Sequence, residues 1–217
     1  MPGLIKKNHF IWLTISLIGL MLTGAFSRGL PGNLTLQLIE YTSVILLLLS
    51  LLSLKTEHYW GKGFLIIVGI MLVMVVARGA TEIEYFEYLY LGLMLTFMLA
   101  AAWLVGSQVL LTGTVDLNIV VGSVALYLLI GLIWSILYTI LLEFSPDAIN
   151  GIDPGMWYDN YPVMTYFSFV TLTTLGFGDM SPATPVAQVI VILEAITGMF
   201  YLAVIVASLI GGRRNRS

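Results

Sequence analysis

"TLTTLGFGDMSP", residues Thr171–Pro182, decides how this chain is read: four hydroxyl side chains, two glycines and an aspartate interrupt what is otherwise long apolar sequence. In hydrocarbon every backbone amide and carbonyl needs a partner. Non-helical backbone therefore survives at membrane depth only where protein buries it or where it lines an aqueous path. A polar segment of this kind inside a membrane protein implies such a path.

The surrounding composition makes the chain a membrane protein. Hydrophobic residues are 59% and charged residues 10% of the 217, against soluble averages of about 45–50% and about 25%. A span needs about 20 mostly apolar residues. Six stretches qualify, near 10–27, 34–54, 62–78, 86–111, 118–143 and 184–211. Between the last two lies 145–183, too polar at its start and too short at its end for a seventh span, so it is expected to dip into the membrane and return. The expected fold is an all-α integral membrane protein with six transmembrane helices and a re-entrant loop. The apolar run after Lys6 and Lys7 is read as an uncleaved first span, since no A-x-A site follows it.

Charge sets an orientation. With both termini cytoplasmic, Lys6, Lys7, Lys55, Lys62, Arg213, Arg214 and Arg216 lie inside, which is seven of the nine basic residues; Arg28 and Arg78 lie outside. That asymmetry obeys the positive-inside rule. Glu82, Glu84, Glu87, Glu143, Asp147, Asp153, Asp159 and Asp179 then fall on the outer face, where they raise the local cation concentration. Cysteine is absent, which excludes disulfides and thiolate metal sites. His9 and His58 sit at inner membrane boundaries. No nucleotide, zinc or calcium motif occurs, and nothing is basic enough to bind nucleic acid.

Gly176 and Gly178, one residue apart, allow backbone conformations that turn successive carbonyls to one side. A strip of oxygens suits a cation. Moving a small ion from water into a low-dielectric medium costs on the order of 20 kcal/mol, so a path must replace the lost water with fixed dipoles. Thr174, Leu175, Gly176 and Phe177 each offer a carbonyl, and the Thr174 hydroxyl adds an oxygen at the inner end. One chain supplies one strip, so closing rings around an ion requires several identical chains about an axis.

The motif T-T-L-G-F-G-D, Thr173–Asp179, resembles the selectivity filter of potassium channels, whose usual form is T-V-G-Y-G-D. A chance match to T-x-G-[FY]-G-D arises on the order of once in 10^6 positions at ordinary residue frequencies. The likeness extends over about 117–212 and implies a prokaryotic-type pore domain. Its parts would be an outer helix 117–144, a turret 145–161, a pore helix 162–173 opening near Pro162, a filter 174–179 and an inner helix 184–212. It also implies a homotetramer around a central pore, with Thr174, Leu175, Gly176, Phe177 and Gly178 binding potassium, Asp179 at the outer mouth and Gly198 as the gating hinge. Tyr166, Phe167, Thr171, Thr173 and Glu194 would support the filter. Potassium is the permeant ligand, no cofactor is required, and the partners are membrane lipid and further copies of the chain in a prokaryotic inner membrane.

Two departures carry expectations. Phe177 stands where the filter usually has tyrosine and lacks its bracing hydroxyl. Glu194, four residues before Gly198 and well inside a span, costs about 2.5–3.5 kcal/mol on insertion scales. It is expected to act as a buried brace bonded to Ser168, Thr171 or Thr173. Residues 1–116 form a four-helix unit whose fourth span, Tyr85–Leu111, contains no lysine or arginine, so it cannot carry voltage-sensing charge. Glu40, inside the second span, is expected to pair with Arg28 or Arg78. The alternatives are a non-selective monovalent cation channel, which reversal potentials separate, and a transporter or membrane enzyme with a re-entrant loop. Internal repeats mark many transporters, and the chain has one filter-like segment; an intramembrane enzyme would have only Glu40 and Glu194 to work with.

Overall fold

The computed structural model describes residues 9–27, 30–53, 58–78, 85–110, 116–153 and 155–214. Six long helices follow one another: α1 (His9–Ser27), α2 (Gly32–Ser53), α3 (His58–Arg78), α4 (Tyr85–Leu110), α5 (Leu117–Phe144) and, after an irregular region, α7 (Pro185–Arg214). A shorter helix, α6 (Trp157–Leu172), lies between the last two. Among the described residues four helices are long and apolar enough to cross a membrane, namely Phe10–Ser27, Tyr88–Val109, Leu117–Phe144 and Pro185–Ser208. Lys62–Val75 is a shorter apolar helix. The fold is mostly helical, as expected, with one addition. Two-residue strands β1 (Ile149–Asn150) and β2 (Ser181–Pro182) pair antiparallel, Ile149 opposite Pro182.

Local chemistry fixes the ends of α5 and α7. Asp116 caps α5, its carboxylate accepting from the Ile119 amide at 2.8 Å, which satisfies one of the free amides of the first turn. The helix stops at Ser145 because Pro146 follows and cannot continue the ladder. Thr184 caps α7 through the Ala187 amide, and Pro185 occupies the first helical position, where a missing N–H costs nothing.

The short helix starts earlier than the sequence led us to expect. The turret was assigned 145–161 and the helix 162–173, with Pro162 near its start; the helix instead runs from Trp157, with Pro162 inside it. Burial explains the difference. Trp157 and Tyr161 are both packed into the main apolar core, and the Asn160 side-chain amide donates to the Gly155 carbonyl at 2.7 Å, tying down the first turn. Those gains outweigh the one intrahelical bond that Pro162 cannot donate. Its ring rests against α1, where a Cβ added at Gly24 would lie 3.4 Å from the Pro162 Cβ.

At 16 residues, α6 is about 24 Å long, short of the ~30 Å hydrocarbon core. It cannot cross, and the chain returns as non-helical backbone to β2. α6 packs on α5 and α7, while α5 also receives α1 and α4. Gly131 of α5 lets the Phe169 ring of α6 approach within 2.5 Å of where a Cβ would stand. The main core joins α1 to α5 with the start of α6. A smaller cluster of Tyr138, Leu142, Ala148, Ile149, Met164, Phe167 and Ala187 fills the space between α5, α6 and α7 beside the β1–β2 pair.

α7 is exceptional. Its apolar window is 17% buried, against 50% for α5. Ala187, Glu194, Gly198 and Ile205 face the rest of the chain, whereas Val189, Ile192, Leu193, Ile196, Met199 and Phe200 are exposed.

Candidate functional site

The site is built where α6 ends. Thr173 is the C-cap, and its amide reaches back to the Phe169 carbonyl. The next residue, Thr174, has φ +58°, and Gly176 and Gly178 follow at +55° and +79°. Leu175 and Phe177 between them are not left-handed, so handedness alternates along residues 174–178. In an ordinary strand successive carbonyls point to opposite sides; reversing the handedness of every second residue brings them to the same side. Glycine takes the left-handed conformation without strain. A β-branched residue does so at a cost of order 1–3 kcal/mol and is held there by its surroundings.

Hydrogen bonds to the helix end supply that hold. The Thr174 amide donates to the Thr171 carbonyl at 2.9 Å, and the Leu175 and Gly176 amides both donate to the Val170 carbonyl, at 2.9 and 3.3 Å. The strip's first amides are thus spent on the helix, leaving its carbonyls for other partners. Within one chain the strip is uncovered: Thr173 to Asp179 are all exposed, including the apolar side chains of Leu175 at 59% and Phe177 at 64%.

The Asp179 end of the strip is braced. Tyr166 of α6 stacks nearly parallel on Phe177, 7° between planes and 6.5 Å between centroids. The Tyr166 hydroxyl donates to Asp179 Oδ2 at 2.8 Å, and the Met180 amide donates to Asp179 Oδ1. That bond to Asp179 is the main cause raising the Tyr166 phenol above its ordinary value. The hydroxyl missing from Phe177 has a counterpart on the helix side of the stack. Phe167 is turned the other way, buried edge-on against Tyr138 at 5.0 Å.

Glu194 is fully buried. Its Oε1 accepts from Ser168 Oγ at 2.5 Å and its Oε2 from the Tyr138 hydroxyl at 2.6 Å. Of the three hydroxyls expected beside it, the structure brings Ser168. Thr173 Oγ1 bonds back to the Phe169 carbonyl within its own helix, and Thr171 contributes through its main-chain carbonyl. Tyr138 was missed by the sequence reading. The available signal was a tyrosine inside the apolar span α5, one span away from a buried acid. Gly198, four residues along, is buried, and a Cβ there would collide with the Leu172 carbonyl oxygen; α7 continues through it without a break.

Glu40 is buried in α2, with its main-chain carbonyl accepting from Ser43 Oγ at 2.9 Å. Arg28 and the side chain of Arg78, its expected partners, lie outside the described residues. Among the described residues no group of three or more His, Cys, Asp or Glu gathers as a metal site. The candidate oxygens are those of the main chain.

Comparison with known proteins agrees on the class of this half of the chain. Residues 123–211 match a family model described as "Ion channel". Over 103 residues the chain is 36% identical to the inward rectifier potassium channel Kirbac3.1 of Paramagnetospirillum magnetotacticum, which covers 46% of this chain and 33% of that protein. Over 60 residues it is 32% identical to two-pore potassium channel 4 of Arabidopsis thaliana, covering 28% and 20%. The matched segments span about a third and a fifth of those relatives. They support a pore of the prokaryotic potassium-channel type in a membrane protein. No solved structure matches the chain.

Proposed function

We propose that the chain is one subunit of a homotetrameric, potassium-selective channel conducting passively down the ion gradient. The observation that carries this reading is the alternation of handedness along Thr174–Gly178 in a strip whose apolar side chains are exposed in the single chain. Four such strips about an axis present rings of carbonyl oxygen from Thr174, Leu175, Gly176 and Phe177 that replace the hydration shell of a potassium ion. The uncovered side of α7 supports the same arrangement, since an apolar helix in this position gains by packing on neighbouring copies. Asp179 concentrates cations at the outer mouth. Thr174 faces the inner entrance. Binding must stay weak enough for release, and neighbouring ions a few ångströms apart repel one another along the strip. No reaction is catalysed.

The six long helices fit a six-span topology with both termini cytoplasmic, the orientation favoured by the distribution of lysine and arginine. Gly198 serves as the inner-helix hinge in this reading, with Leu172 as the surface against which it bends. Phe177 favours a second reading, a pore less strict between potassium and sodium, because a filter tyrosine would add a hydroxyl bond. The test is purified protein in liposomes, with potassium flux measured against sodium flux and with Gly176→Ala as control. Selective potassium flux abolished by the substitution supports the proposal. Equal sodium flux selects the second reading, and no flux in either cation, with protein correctly inserted, overturns both.

A further inference from the structure

A helix leaves the carbonyls of its last turn without intrahelical partners, and in α6 those of Val170, Thr171 and Leu172 are among them. Val170 accepts from the Leu175 and Gly176 amides, and Thr171 from the Thr174 amide. Leu172 stands next to the cap, and it takes a side-chain bond from another helix: the Tyr127 hydroxyl of α5 donates to it at 3.3 Å. Gly198 of α7 abuts the same oxygen. Tyr127 is itself held from α7. Its ring lies 5.3 Å from that of Tyr201, tilted by 33°, and the Tyr201 hydroxyl donates to the Ser123 carbonyl, one turn before Tyr127 on α5.

We infer that Tyr127 is a positioning residue for the filter, and that Tyr201 is the link through which the inner helix sets it. This rests on the channel reading above. The Leu172 carbonyl belongs to the peptide joining Leu172 to Thr173, so turning that plane moves the cap and then Thr174, whose left-handed φ is sustained only by its neighbours. Displacement of α7 near residues 198–201 acts on the oxygen from two directions, directly through Gly198 and indirectly through Tyr201 and Tyr127. Inner-helix position and strip geometry are thereby coupled through the Leu172 carbonyl.

The experiment measures reversal potentials of the purified full-length protein in planar bilayers with potassium on one side and sodium on the other, and checks assembly by size-exclusion chromatography. Tyr127→Phe keeps the ring against Tyr201 and removes only the hydroxyl. The expected result is normal assembly with the potassium-to-sodium permeability ratio lowered about two- to tenfold, the range spanned by one neutral hydrogen bond. Tyr201→Phe, which leaves the Leu172 bond in place, should shift the ratio less and in the same direction. An assembled Tyr127→Phe channel with wild-type selectivity overturns the inference while leaving the channel reading intact; an unselective wild-type protein overturns both. Should Tyr127→Phe fail to assemble, Tyr201→Phe decides, and unchanged selectivity in that assembled variant overturns the inference.

Discussion

Glu194 offers a test whose size follows from counting protons. Ser168 has one hydroxyl hydrogen and two acceptors in reach, the Gly131 carbonyl at 2.7 Å and Glu194 Oε1 at 2.5 Å. Glutamine at 194 resolves that competition: its amide N–H₂ donates to Ser168 Oγ, the serine hydrogen goes to Gly131, and the amide oxygen still accepts from Tyr138. If Glu194 is a brace between α5, α6 and α7, Glu194→Gln should therefore assemble normally, with stability within about 1 kcal/mol of wild type and unchanged single-channel conductance. Glu194→Leu should behave differently, because it leaves the buried Tyr138 hydroxyl without its acceptor at a cost of about 1–3 kcal/mol per subunit. Adding Tyr138→Phe removes the orphaned hydroxyl, so the double variant should recover most of the loss, a non-additivity expected of residues in direct contact. Denaturant-induced dissociation of the purified oligomer gives the stabilities, and bilayer recording gives the conductance. A Glu194→Gln channel that assembles normally but conducts differently would refute the brace and make Glu194 an electrostatic element of the ion path.

Other consequences are as direct. Gly176→Ala places a side chain at φ +55°, a strain of roughly 1–2 kcal/mol per subunit, and is expected to abolish potassium flux in liposomes while leaving the protein inserted; retained selective flux would contradict the carbonyl strip. Phe177→Tyr should slow inactivation at low external potassium, measured as current decay, and faster decay would count against a loosely braced filter. Tyr166→Phe deletes the bond to Asp179 and should speed that decay. Because the Tyr166 phenol is raised, its bond is present below the ordinary tyrosine value of about 10 and is lost only as pH climbs through the higher folded value, so decay in the wild type should be flat from neutral pH to about 10. α4 carries no lysine or arginine, so open probability should vary little with voltage; a steep exponential dependence would refute this.

Helix positions were legible because nearly continuous apolar runs leave the chain few alternatives in a membrane, and the non-helical strip because its glycine spacing is rare. The start of α6 was not. Pro162 looked like a first helical residue, and the burial of Trp157 and Tyr161 that extends the helix beneath it depends on packing against distant spans. The sequence shows that Glu194 needs a hydroxyl, and Ser168 is one of those within reach because it lies on the neighbouring short helix. Tyr138 and Tyr127 could not be found that way: each reaches its partner from another helix at a depth and rotation that periodicity does not encode. The resemblance implied a hinge at Gly198 from its place in the inner helix; its contact with the Leu172 oxygen emerges only once α6 and α7 are set side by side.

If main-chain oxygens from four chains stand in for water around a potassium ion, a structure of the purified assembly in potassium-containing detergent will reveal it. The account predicts a fourfold particle with the carbonyls of Thr174, Leu175, Gly176 and Phe177 directed at the axis and ion density between them. A monomer, or an oligomer in which those carbonyls face away from any shared axis, would contradict it.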